Sequence, residues 1–154
     1  MNKKIVIFCL LVLYSSAGWS QKVLQLQSPD KRTTLQVTIG DEITLSISQD
    51  KVTVLEPSAI GMSIRDISIL GEHPKLIKTT TRSVVGNIIQ TPVYKKSEIK
   101  ESYNELCAHF KGRYSILFRC YDQGVAYRFV TKFKADKIFV ESEKAMYCFP
   151  SQTK

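Results

Sequence analysis

Apolar residues recur at every second position over much of the chain, the period of a half-buried strand and not of a helix. The clearest stretch is residues 103–133. Leu106, Ala108 and Phe110 alternate with polar neighbours, then Tyr114, Ile116, Phe118 and Cys120, then Val125, Tyr127 and Phe129. The breaks fall at Lys111-Gly112-Arg113 and Asp122-Gln123-Gly124, where glycine supplies the positive φ of tight hairpin connections. This predicts a three-stranded antiparallel meander. A three-residue loop at 111–113 sets Phe110 opposite Tyr114, Ala108 opposite Ile116 and Leu106 opposite Phe118. A two-residue turn at Gln123-Gly124 sets Cys120 opposite Tyr127 and Phe118 opposite Phe129. A slip of one residue would turn the apolar set outward. The reverse face then carries Glu105, Arg119 and Arg128 in one row. Two like charges directly opposite are unfavourable without an acid beside them, so the row is either a solvated surface neutralised by Glu105 or a contact with another polypeptide surface.

Upstream the same alternation predicts further short strands. Residues 23–27 lead into the turn Ser28-Pro29-Asp30-Lys31, with proline at its second position. Leu35, Val37 and Ile39, then Ile43, Leu45 and Ile47, flank Gly40-Asp41-Glu42 as a hairpin. Val52 and Val54 begin another strand, which Glu56-Pro57-Ser58 should end because proline cannot donate to a ladder. Residues 60–64 form one more. From 65 to 83 the pattern weakens, with Gly71, His73 and Pro74 marking loops; 86–94 reads as extended and 95–102 as a polar connection. Residues 138–140 and 145–149 read as two late strands. No helix of useful length is predicted, and the fold class is an all-β antiparallel sandwich.

The first 20 residues read differently. Two lysines, an apolar run from Ile5 to Tyr14 and small residues ending at Ser20 have the form of a secretory signal peptide, too short for a membrane span. Cys9 lies inside the apolar run and does not have the placement of a lipid-attachment cysteine. The expected organisation is therefore a signal peptide over 1–20 and one domain over 21–154. Of the 22 basic residues two belong to the leader, and 20 basic against 14 acidic residues leave +6. The lysines are scattered and never run beyond two, which argues for solvated edges and loops and against a nucleic-acid surface.

Candidate chemistry is sparse. Cys107, Cys120 and Cys148 are an odd number, and Cys107 and Cys120 fall on opposite faces of the meander, so they cannot bridge. Cys120 reads as a small core residue. Glu105, Cys107 and His109 share one side of a strand, but their side chains point in parallel and do not converge as a nucleophile, base and orienting acid must. Glu98, Glu101 and Glu105 read as a solvated cluster among lysines and not as the paired acids of glycoside hydrolysis. His73, beside a proline, is a loop histidine without a second ligand at metal spacing. Phosphate loops and dinucleotide fingerprints are absent. No catalytic, metal or cofactor residue is assigned within the chain.

Three pieces resemble a known family. Ser28-Pro29-Asp30, the segment V-L-E-P-S-A-I-G at 54–61, and above all Y-N-E-L at 103–106 with F-R-C-Y-D-Q-G-V-A-Y-R-F at 118–129 are similar to the N-terminal domain of glycoside hydrolase family 97. The resemblance implies a mutarotase-like super-sandwich standing before a (β/α)8 barrel. It also implies calcium-dependent α-glucosidases and α-galactosidases of the periplasm, active in polysaccharide utilisation. In such enzymes the catalytic acids and most calcium ligands come from the barrel, and none can be carried onto this sequence. The expectation is thus a non-catalytic, carbohydrate-binding-type domain, truncated before the barrel, whose contact with the missing part involves Glu105, Arg119 and Arg128. The substrate class would be an α-linked glucan or galactoside. The alternative is a stand-alone exported carbohydrate-binding or protein-interaction module, using aromatics such as Tyr94, Tyr103, Tyr121 and Tyr147.

Overall fold

A computed structural model describes residues 21–90 and 98–151. Within them the chain forms ten strands: β1 (Lys22–Gln27), β2 (Thr33–Ile39), β3 (Ile43–Gln49), β4 (Val52–Ile64), β5 (Ser68–Leu70), β6 (Leu76–Gln90), β7 (Glu98–Phe110), β8 (Tyr114–Tyr121), β9 (Gly124–Thr131) and β10 (Val140–Ala145). They make two antiparallel sheets. The first runs β1-β2-β3-β4-β10, with β5 added beside the end of β4, and the second runs β6-β7-β8-β9. The signal-like residues 1–20 and Tyr94 lie outside the described residues.

The core lies between the sheets and is built by the alternation itself. Leu35, Val37 and Ile39 of β2, Ile43 and Leu45 of β3, and Ile60 and Ile64 of β4 face Leu106, Ala108, Phe110, Tyr114, Ile116, Phe118 and Cys120 of the second sheet. Strand β1 packs over β7 and β8, and β2 over β8. Cys120 is a fully buried core residue, as its position in the alternation predicts, and all three described cysteines are free.

The first hairpin of the meander has the predicted register: Leu106 faces Phe118, Ala108 faces Ile116 and Phe110 faces Tyr114. Gly112 and Arg113 both take positive φ in its loop. The second hairpin differs. Its two turn residues are Asp122 and Gln123, Tyr121 pairs with Gly124, Cys120 with Val125 and Phe118 with Tyr127. Starting the turn one residue earlier moves the pairing by two, so the apolar face is kept and the partners change. Sequence alternation specifies a face and is blind to a shift of two.

Four further expectations are corrected. Pro57 does not end a strand: β4 continues through it to Ile64, and its pairing with β3 is irregular between Leu45 and Ile47, opposite Glu56 and Pro57, and again between Ile47 and Ser48, opposite Val54. A bulge removes the ladder bond that proline cannot make. Residues 76–83, expected as weakly patterned loop, belong to β6, whose pairing with β7 is bulged twice. Strand β7 already begins at Glu98, within the stretch expected as a connection. At the end of the chain the two expected strands are replaced by one, β10, lying between them and pairing with β4.

Candidate interdomain face and structural joints

The face of the second sheet that points away from the core is where the sequence placed its candidate residues. It carries the odd-numbered positions of β7 and β8. Tyr103 and Glu105 are nonetheless only 4% and 6% exposed, so this face is more than a solvated surface. Glu105 sits between two arginines. Arg82 of β6 and Arg119 of β8 pair with it in the ladders on either side. Arg82 donates from Nε to Oε1 at 2.5 Å and from Nη2 to Oε2 at 3.1 Å, and Arg119 donates from Nε to Oε2 at 2.8 Å. A bidentate fork on one side and a single bond on the other hold both carboxylate oxygens. Glu105 is accordingly held below its ordinary carboxylate range, first by the Arg82 hydrogen bonds and against the cost of desolvation.

Arg119 is placed by more than Glu105. Its guanidinium stacks 4.3 Å from the centre of the Tyr103 ring, and its Nη1 lies 3.5 Å from a Glu101 oxygen. Tyr103 in turn packs against Tyr121, with ring centres 5.2 Å apart. Arg128 does not complete the predicted row. With the shifted register it faces Leu117, and Ala126 stands opposite Arg119. The row is therefore Arg82, Glu105, Arg119, Ala126, in which each arginine has the acid beside it and the like-charge conflict disappears. Arg82 was missed because the stretch around it lacks clean alternation. Arg119 and Arg128 do come together in another way. Both line a shallow depression of about 140 Å³ with Leu117, Tyr121, Ala126 and Tyr127.

The remaining candidates are not gathered into a reactive group. His109 Nδ1 lies 2.9 Å from Ser115 Oγ on the facing strand, and burial pushes the Cys107 thiol up, which keeps it protonated. Glu105 is engaged by its arginines, so these residues make no nucleophile and base. No cluster of three metal-ligating side chains occurs among the described residues, and the acids present do not fit a calcium site: Glu105 is filled by guanidinium donors. Asp30 Oδ1 accepts from Ser28 Oγ at 2.5 Å and from the Arg32 N–H at 3.0 Å. His73 is an exposed loop residue, 3.7 Å from Asp41. Of the aromatics, Tyr103 is buried, Tyr121 half-buried and Tyr147 half-exposed at the end of the chain. They form no single platform.

The conspicuous sequence motifs turn out to be joints. Ser28, 1% exposed, ties off its own turn, accepting from the Thr33 N–H at 3.0 Å. The Asp30 N–H donates to Asp122 Oδ1 at 3.0 Å, so the S-P-D turn of one sheet meets the Y-D-Q-G turn of the other. Asn104 adds a bond from Nδ2 to the Gln27 carbonyl at 2.7 Å. In E-P-S, the buried Ser58 hydroxyl donates to the Glu56 carbonyl at 2.7 Å and accepts from the Cys148 N–H at 2.9 Å, while the Glu56 N–H donates to the Cys148 carbonyl at 2.9 Å. That joint fixes the segment after β10. Ser58→Ala is expected to cost about 1–3 kcal/mol, the range for a buried hydrogen-bonding group whose partner is left unpaired. It should also raise hydrogen exchange at the Cys148 amide well before the β2–β3 core responds.

Fold and site together define an antiparallel β-sandwich module whose polar clusters hold sheets and segments to one another. The chain belongs to the glycosyl-hydrolase 97 N-terminal family, whose model matches residues 26–154. It is 39% identical over 150 residues to the retaining alpha-galactosidase of Bacteroides thetaiotaomicron, a match spanning 97% of this chain and 22% of that protein. A family 97 enzyme from Pseudoalteromonas sp. strain K8, solved with panose, superposes with a TM-score of 0.71 at 22% identity over 82% of this chain and 20% of its own. A beta-arabinopyranosidase gives 0.74 at 25% identity, over 82% and 21%. The chain thus spans about a fifth of the length of these relatives.

Proposed function

We propose that this chain acts as the non-catalytic N-terminal domain, of carbohydrate-binding type, of an exported α-glycosidase, packing on a (β/α)8 barrel and helping to shape its active site. The carrying observation is the outer face of the second sheet. There the Arg82–Glu105–Arg119 network, with both carboxylate oxygens held, stands beside a depression that Arg119 and Arg128 line with no acid among its lining residues. Such a surface is pre-organised to receive acidic or carbonyl groups from a neighbouring domain. In this reading the reacting acids and any calcium belong to the barrel, and an α-linked glucan or galactoside is its substrate. The leader-like residues 1–20 support export, with the periplasm as destination.

The test is complementation. The barrel portion of the Bacteroides alpha-galactosidase, expressed without its own N-terminal region, should co-purify with this protein and gain activity on a nitrophenyl α-galactoside. The protein alone should release no nitrophenol. Arg119→Glu with Arg128→Glu should weaken co-purification at least tenfold, since reversing two charges on a complementary face costs more than 1.4 kcal/mol. Turnover by the protein alone, or a barrel that ignores it, would refute the reading.

A further inference from the structure

We draw no further inference here: the strongest candidate, the cavity of about 240 Å³ that Glu42, Gly61, Ser63, Gly71, Glu72 and Lys144 line where β4, β5 and β10 meet, has its Lys144 ammonium already paired with Glu42, and with no buried side-chain polar atom lacking a partner among the described residues, nothing in the structure shows what would occupy it.

Discussion

Replacing Phe118 with alanine is expected to destabilise the protein by about 3–5 kcal/mol, the range for a fully buried phenylalanine. Phe118 has no exposed surface and lies at the centre of the sandwich, opposite Leu106 on one side and Tyr127 on the other. The neighbours that could collapse into the space are held by ladders on both sides, so a cavity remains and its cost adds to the lost transfer energy. A domain of this size has roughly 5–15 kcal/mol of net stability, so the variant should retain a fraction of it. Urea unfolding followed by far-ultraviolet circular dichroism measures the loss. Phe129→Ala is the internal control: the same side chain leaves a half-exposed site on β9, and the loss should be less than half as large. Equal losses at the two positions would show that the interior is not organised around β8.

The meander was legible because its signal is local. Alternation from Leu106 to Phe129 specifies which residues face inward, and the face is preserved in the structure. What alternation lacks is the absolute register of a hairpin, and so Arg128 was placed beside Arg119 when Ala126 stands there. The same limit hid Arg82. In β6, Thr79, Thr80 and Thr81 interrupt any apolar period, and the strand exists because β7 supplies a ladder for it, not because its own side chains demand burial. Pro57 misled for the opposite reason: its local rule is sound, but a bulge satisfied it inside a longer strand. The motifs Ser28-Pro29-Asp30 and Glu56-Pro57-Ser58 were visible as words without a visible role. Their role is long-range, Asp30 meeting Asp122 and Ser58 meeting Cys148, and contacts across about ninety residues leave no trace in local spacing.

Glu105→Gln is expected to cost about 2–3 kcal/mol and, more tellingly, to flatten part of the acid limb of the stability profile. The carboxylate is nearly buried, with 7% of its side chain exposed, while Arg82 and Arg119 are 59% and 27% exposed. Removing one member of a buried pair costs about 3–5 kcal/mol, and the open sides of both arginines bring that down. Glutamine keeps the shape and can still accept one bond, but its amide nitrogen confronts a guanidinium that has only donors to offer. The sign of the pH effect follows from the direction of the shift. Glu105 is depressed in the folded state below its ordinary value of 4.5, chiefly by the Arg82 hydrogen bonds. Its contribution is therefore complete above about that pH and is lost as pH falls through the lower folded value. Unfolding free energies measured from pH 7 down to pH 2 should thus converge for wild type and Glu105→Gln at the acid end. A residual slope should persist in the variant from Asp30 and Asp50, which are also depressed, the first mainly by Ser28 and the second mainly by Arg32. If the two profiles stay parallel down to pH 2, the arginine pair is not what stabilises Glu105, and the outer face would have to be held by the stacking of Arg119 on Tyr103.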